Sequence, residues 1–312
     1  MAVVTTTLRS SGGDYTSFVT WESTEQTNLV TDGDSHVLEC EGNWTHTASR
    51  LDQWAGWTTD ATHDVTIKAE SGGEHEGVRR VDGGTGFSIA WNTTGQTFDL
   101  GSGYINFIDI EWSHTVGISN SVILRSGCVA TFTRCIGDDA AGNTATIRAF
   151  TGCTLNMENC LIFGNVQALE DNSSNAGVIN NCTFTGGSSE SVDALQANVV
   201  YTNCYADDWG AGTYHASCDY NAAANTTAPG TTTVDSVNTG TAFVDYAGED
   251  YNLESAGALT DAGTDLSGTF TDDITGATRG ATFDIGAYEY IAAGGGISIP
   301  VAMNNYYRQR MR

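Results

Sequence analysis

Between residues 130 and 206, apolar and polar positions alternate in short runs that recur at a nearly constant distance. The runs read ATFTRCIG (130–137), LNMENCLIF (155–163), VINNCTF (178–184) and VVYTNCYA (199–206). Phe132, Met157, Ile179 and Tyr201 occupy one position, and Ala130, Leu155, Gly177 and Val199 stand two residues earlier. A period of two puts both sets on one face of a strand. Three residues after the first set comes a cysteine each time: Cys135, Cys160, Cys182 and Cys204, at steps of 25, 22 and 22 residues. Cys128 and Cys153 repeat the 25-residue step. A fixed period in this range is the mark of a solenoid in which each repeat is one rung.

An odd offset of three would turn the cysteine outward on a straight strand. Asn159, Asn181 and Asn203 stand immediately before three of these cysteines. Asn tolerates the left-handed backbone region, so one such residue can bend the chain and return the thiol to the interior. Successive rungs lie about 4.8 Å apart, close enough for like amides to hydrogen-bond along the axis. Cys135, Cys160, Cys182 and Cys204 with the three Asn residues are therefore expected to form a structural ladder. Earlier segments extend it: FIDIEWSH (107–114) with Trp112 in the Cys position, GFSIAW with Trp91, and DVTIKAE with Ala69. Seven rungs between residues 60 and 210 would make a rod some 30–40 Å long.

The expected fold is all-β, a right-handed parallel β-helix over 61–245. An N-terminal cap is expected over 1–60, a closing segment over 246–292, and a linker with a docking tail over 293–312. The cap should hold a short helix between Ser17 and Asn28, with Phe18 and Trp21 three apart, and a strand at Val37–Cys40. In the tail, Gly294–Gly296 read as a hinge. Beyond them Tyr306, Tyr307, Arg308, Arg310 and Arg312 are the candidate partner-binding residues. Three of the chain's twelve basic residues fall in its last five positions, and aromatic and Arg side chains are the usual anchors of protein interfaces.

Composition narrows the function. The chain carries 38 acidic against 12 basic residues, a net charge of -26, which would repel a phosphate backbone and disfavours nucleic-acid binding. Asp-rich loops are compatible with calcium through hard oxygen ligands; no other cofactor is implied. The N-terminus lacks a basic-then-apolar signal, and no run of 18 apolar residues exists, so neither Sec export nor a membrane span is expected. The cysteines sit a whole rung apart with no C-x-x-C, which fits buried thiols better than zinc or a disulfide framework. Five N-x-S/T sequons read as turn and strand composition.

No catalytic residue is assigned. Asp138–Asp139 and Asp207–Asp208 follow ladder cysteines by three and four residues, which places them in one turn, three rungs apart and too distant for an acid pair. Arg125, Arg134 and Arg148 are the only arginines placed to assist such acids. The histidines at 36, 46, 63, 75, 114 and 215 form no metal spacing, and no nucleophile elbow, P-loop or dinucleotide motif occurs.

The opening motifs GDYTS (13–17), WES (21–23) and GWTTDATHDVTIKA (56–69) resemble the start of β-helix proteins of bacteriophage and prophage genomes. The stretch 250–290, ending in DIGAYEY (Asp284–Tyr290), resembles the closing segment of bacterial parallel β-helix proteins of the pectate-lyase-like kind. Of the polygalacturonase-like set of N-T-D, D-D, G-H-G and R-I-K, only D-D is present. The resemblance implies an extracellular or virion-surface β-helix and carries no reaction. The expectation is a virion structural protein, made in the host cytoplasm and placed on the particle surface as a decoration, cement or spike subunit. Its partner would be a capsid or other virion protein, and flat faces would permit a homotrimer. The alternatives are a tailspike-type depolymerase or binder of a surface glycan, and a bacterial adhesin.

Overall fold

The computed structural model describes residues 2–46, 54, 56–79, 84–91, 98–114, 120–139, 144–172, 175–193 and 196–292. The chain winds into a parallel β-solenoid of about five turns built on three sheets. The first sheet has eight strands, from β1 (Ala2–Leu8) and β2 (Asp34–Cys40) to Val199–Thr202. The second, also of eight, runs from Asn43–His46 to Ala222–Ala223, and the third, of five, from Phe98–Leu100 to Val192–Asp193.

The period-two pattern explains the first sheet. Ile67, Phe107, Phe132, Met157, Ile179 and Tyr201 stack in register up its inner face, all fully buried. Phe107 and Phe132 lie parallel with centroids 4.9 Å apart. Burying each such side chain contributes about 1.5–3 kcal/mol. The same inward position two residues earlier holds Ile105, Ala130, Leu155 and Val199.

Each rung leaves this sheet through one left-handed residue. Asp109, Arg134, Asn159, Asn181, Asn203 and Tyr220 have φ of 57°, 49°, 53°, 48°, 54° and 55° on successive rungs. Asn is suited to this region, whereas Arg134 and Tyr220 adopt it at a cost of about 1–2 kcal/mol. The next residue turns inward: Ile110, Cys135, Cys160, Cys182 and Cys204 are at most 1% exposed. All eight cysteines are buried and free. Cys135, Cys160 and Cys204 donate their thiols to the carbonyls of Phe107, Phe132 and Ile179 on the preceding rung, at 3.4, 3.4 and 3.3 Å.

Upstream of Cys135 the expected lattice is corrected. Ile110, not Trp112, holds the Cys position; Trp112 lies in the second sheet opposite Gly137. A Cβ at Gly137 would sit 2.5 Å from the indole, so only glycine admits it. Trp91 belongs to the same sheet, opposite His114. Ala69 pairs with Cys40 and falls level with Asp109, one residue short of the Cys column. The reason is a long excursion after Ala69 before the first sheet resumes at Gly103–Ile108, which breaks the constant period.

The first 60 residues are also more than a cap. β1 and β2 pair over seven residues and are rungs of the first sheet, with β2 continuing into Val65–Ala69. Between them α1 (Phe18–Glu25) and α2 (Leu29–Asp32) close the end of the coil. Ser17 caps α1 by accepting the N–H of Thr20, and Phe18 and Trp21 are buried. Trp21 packs on Trp54 and Trp57 at 5.9 and 5.7 Å.

Residues 246–292 form a lateral brace. Outward-facing Ile136, Leu161, Phe163 and Tyr205 of the second sheet make a second apolar core with Phe243, Tyr251, Leu253, Leu259, Ile274, Ile285 and Tyr288. The brace also takes the side chains of the turn column. Asn159 Nδ2 donates to the Asp272 carbonyl (2.9 Å), Asn181 Nδ2 to the Asp284 carbonyl (2.8 Å), and Asn203 Nδ2 to the Thr264 carbonyl (2.8 Å). Among the described residues of this column one amide-to-amide bond runs along the axis, from Asn203 Nδ2 to Asn181 Oδ1 at 3.1 Å. The amides bind a second layer of chain more than they bind one another.

Candidate functional site

Two adjoining concave surfaces lie where residues 72–79 meet the brace. Ser113, Asp138, Phe163 and Thr185 form one column on the second sheet, and Asp207 follows directly after the strand Tyr205–Ala206 of the next rung. Above Phe163 lies a cavity of about 190 Å³ lined by Arg79, Phe163, Glu249, Asp250, Tyr251 and Tyr288. The Arg79 guanidinium sits 3.9 Å above the Phe163 ring, pairs with Asp138 at 3.2 Å and contacts Glu249. Arg79 and Asp138 are both buried. A buried cation held by two carboxylates attracts no further anion, so the cavity suits an uncharged polar group. A wider open groove of about 830 Å³ adjoins it, lined by Glu41, Glu74, His75, Glu76, Asn252 and Thr275 among others.

The two aspartate pairs are three rungs apart, as their spacing from the cysteines implied. Three rungs is about 14 Å, beyond the separation at which two carboxyls share a glycosidic bond. Both are engaged in holding outer segments. Asp207 accepts from the hydroxyls of Tyr205 (2.7 Å) and Tyr246 (2.6 Å) and from the Gly186 N–H (2.8 Å). Asp208 accepts from Asn225 Nδ2 (2.5 Å) and Thr227 Oγ1 (3.1 Å). Asp138 holds Arg79, and Asp139 lies opposite His114 with both buried.

The three arginines considered as assistants are each committed to an acid. Arg125 grips Asp99 through two bonds of 2.5 and 2.6 Å. Arg134 grips Asp109 at 2.6 and 2.7 Å and reaches Asp272 in the brace at 2.5 Å. Hydrogen bonding to Asp109 pushes its pKa up. Arg148 pairs with Glu170 at 3.0 Å and lies 4.8 Å from the Phe150 ring.

The histidines are dispersed. His75, against the groove, has its Nε2 2.5 Å from the Arg134 carbonyl and accepts the Gly77 N–H at Nδ1 (3.1 Å). That arrangement requires the neutral ring with its proton on Nε2, and burial lowers its pKa accordingly. His36 lies under α1, 3.1 Å from Thr6 Oγ1; His63 bonds Asp60; His215 accepts the Ser217 N–H.

Arg79 escaped sequence reasoning, and so did two further buried ionisable groups. Arg279 in the brace donates to Asn159 Oδ1 (2.6 Å), to the carbonyls of Gly286 (3.1 Å) and Ala287 (3.0 Å), and to Glu289 (3.1 Å). It is the centre that pins brace to solenoid, and a lone Arg in ITGATRGATF carried no signal of it. Asp171 in the third sheet is 2% exposed and accepts from Asn175 Nδ2 at 2.5 Å. Burial raises its pKa to about 7. The LED run gave no hint, because the third sheet is too short for alternation to register.

Among the described residues no group of three or more His, Cys, Asp or Glu is placed to hold a metal ion. Many loop aspartates instead accept backbone N–H groups in tight turns, as Asp60 does from Thr62 and His63, and Asp273 from Thr275 and Ala277. Tyr306, Tyr307, Arg308, Arg310 and Arg312 lie outside the described residues. No protein-family description matches the sequence, and no curated protein matches it.

Proposed function

We propose that the chain is a structural subunit of a bacteriophage particle, a β-helical decoration, cement or spike protein that docks through residues 293–312. The observation that carries this reading is the use of the polar side chains. Asp138, Asp207, Asp208, Arg134 and Arg279 tie loops and brace onto the solenoid, and the Asp138–Asp139 and Asp207–Asp208 pairs lie three rungs apart. A coil stacked on buried thiols and locked along its flank resists bending and local opening, which suits a spacer or clamp. The resemblance of both ends of the sequence to β-helix proteins of phages and bacterial surfaces supports the same reading. The basic, aromatic tail of a chain with net charge -26 is the segment best suited to an acidic partner surface.

Deleting residues 294–312 should abolish attachment to particles while far-UV circular dichroism and the melting temperature stay unchanged. Attachment at wild-type stoichiometry would sink the docking role. Hundreds of copies in purified particles would identify a decoration, and a few would identify a tail component. Absence from particles would overturn the virion assignment itself.

A further inference from the structure

The first sheet is closed at one end and open at the other. At the far end Thr202 is bridged to Asp219, and Val234 lies alongside Ala222 beyond the last strand of the second sheet. At the near end β1 is outermost. Only its last residues are covered: Tyr15 donates its N–H to the Thr7 carbonyl (2.9 Å), and Asp14 accepts the Thr7 N–H (2.9 Å). Thr7 therefore marks the side of β1 that faces away from β2. Strand alternation sends the N–H and C=O groups of Val3 and Thr5 to that same side. No described residue takes them.

The side chains of this edge offer no protection. Ala-Val-Val-Thr-Thr-Thr-Leu contains no charge, proline or glycine, whereas exposed edges ordinarily carry charges, prolines or bulges that prevent pairing. Val3 is 56% and Val4 40% exposed. Val19 on α1 and Val30 on α2 are exposed as well, so three elements closing this end all present apolar surface.

We propose that β1 is the joint between two copies of this chain, paired edge to edge and antiparallel about a two-fold axis at Val4. Three observations select a second copy as the occupant. With one open edge on the first sheet among the described residues, head-to-tail stacking of that sheet has nothing to join, and only a self-complementary contact closes. In a chain of net charge -26, two copies approach with least repulsion along a strand without charge. The flanking acids are already turned to backbone, Asp14 to Thr7 and Asp34 to the Ala2 N–H at 3.0 Å. Tyr15 leaves Ala2–Thr6 free, a stretch centred on Val4. Val3 of each copy then lies opposite Thr5 of the other, exchanging both main-chain bonds, and the two Val4 side chains meet with Cβ atoms about 5 Å apart.

Light scattering on the full 312-residue chain tests this. The expected mass is twice 32.9 kDa. Val4→Lys sets like charges face to face, and Thr5→Pro removes an outward N–H while sparing the ladder to β2. Each should give a monomer with unchanged circular dichroism and melting temperature. Val4→Cys should form a covalent dimer on mild oxidation, because the native thiols are all buried, and this reading survives even if Val4→Lys fails to fold. A monomeric wild type at all concentrations, a trimer, an open filament, or a Val4→Cys chain that does not cross-link would overturn the proposal. A monomer that dimerises only when 293–312 is deleted would overturn it too, assigning the edge to the chain's own tail.

Discussion

Asp171 shows what a single buried group does to this protein's response to pH. Its carboxyl lies inside the coil beside Asn175, and burial raises its pKa to about 7 from an ordinary value near ~3.9. Between those values the folded chain holds a proton that the unfolded chain has released, so stability falls as pH rises, by up to about 1.4 kcal/mol per pH unit. Asp171→Asn keeps the oxygen that accepts from Asn175 and removes the ionisation. The variant should match the wild type in urea unfolding near pH 4 and exceed it by ~2–4 kcal/mol at pH 8. Parallel profiles for the two chains would show that Asp171 is not the source. His75 acts in the opposite sense: burial lowers its pKa, so its contribution is present above the unfolded pKa and is lost as pH falls through the folded one.

At the scale of elements, the brace matters more than its irregular backbone suggests. It covers Ile136, Leu161, Phe163 and Tyr205, which point outward from the second sheet and would otherwise face water. Ile285 is fully buried in this second core. Ile285→Ala should lower the unfolding free energy by about 2–5 kcal/mol, the range for truncating a buried aliphatic side chain. It should also expose apolar surface that binds a dye such as ANS before the coil itself melts. A loss below about 0.5 kcal/mol would mean that the brace is dispensable to the rod. The turn column reaches into the same element, since Asn159, Asn181 and Asn203 both bend their rungs and hold brace carbonyls.

Taken whole, the molecule is a heavily anionic coil whose described arginines are buried or paired. Arg79, Arg125, Arg134, Arg148 and Arg279 each contact at least one carboxylate. Buried pairs are screened little by salt, whereas surplus surface carboxylates repel one another over about 10 Å at ~0.1 M salt. Raising sodium chloride from ~20 to ~200 mM should therefore increase the melting temperature by a few degrees in calorimetry. A decrease would mean that exposed ion pairs outweigh the self-repulsion.

The amino-acid sequence by itself determined the parallel coil, its period from Cys135 onward and the bend at Asn159, Asn181 and Asn203. Those features are local: alternation, a left-handed residue and a small inward side chain repeat at each rung. The cap helix was legible for the same reason, in Ser17 and the spacing of Phe18 and Trp21. Tertiary structure decided what local pattern cannot encode. Trp112 and Trp91 moved to the second sheet because the excursion after Ala69 reset the register and Gly137 left room for an indole. Arg79 and Arg279 became buried centres only because segments distant in sequence close over them, and the brace acquired its place because the second sheet exposes an apolar outer face. The thiol ladder is thus half of a joint, and the partner of each Asn beside it lies some sixty to 120 residues further along the chain.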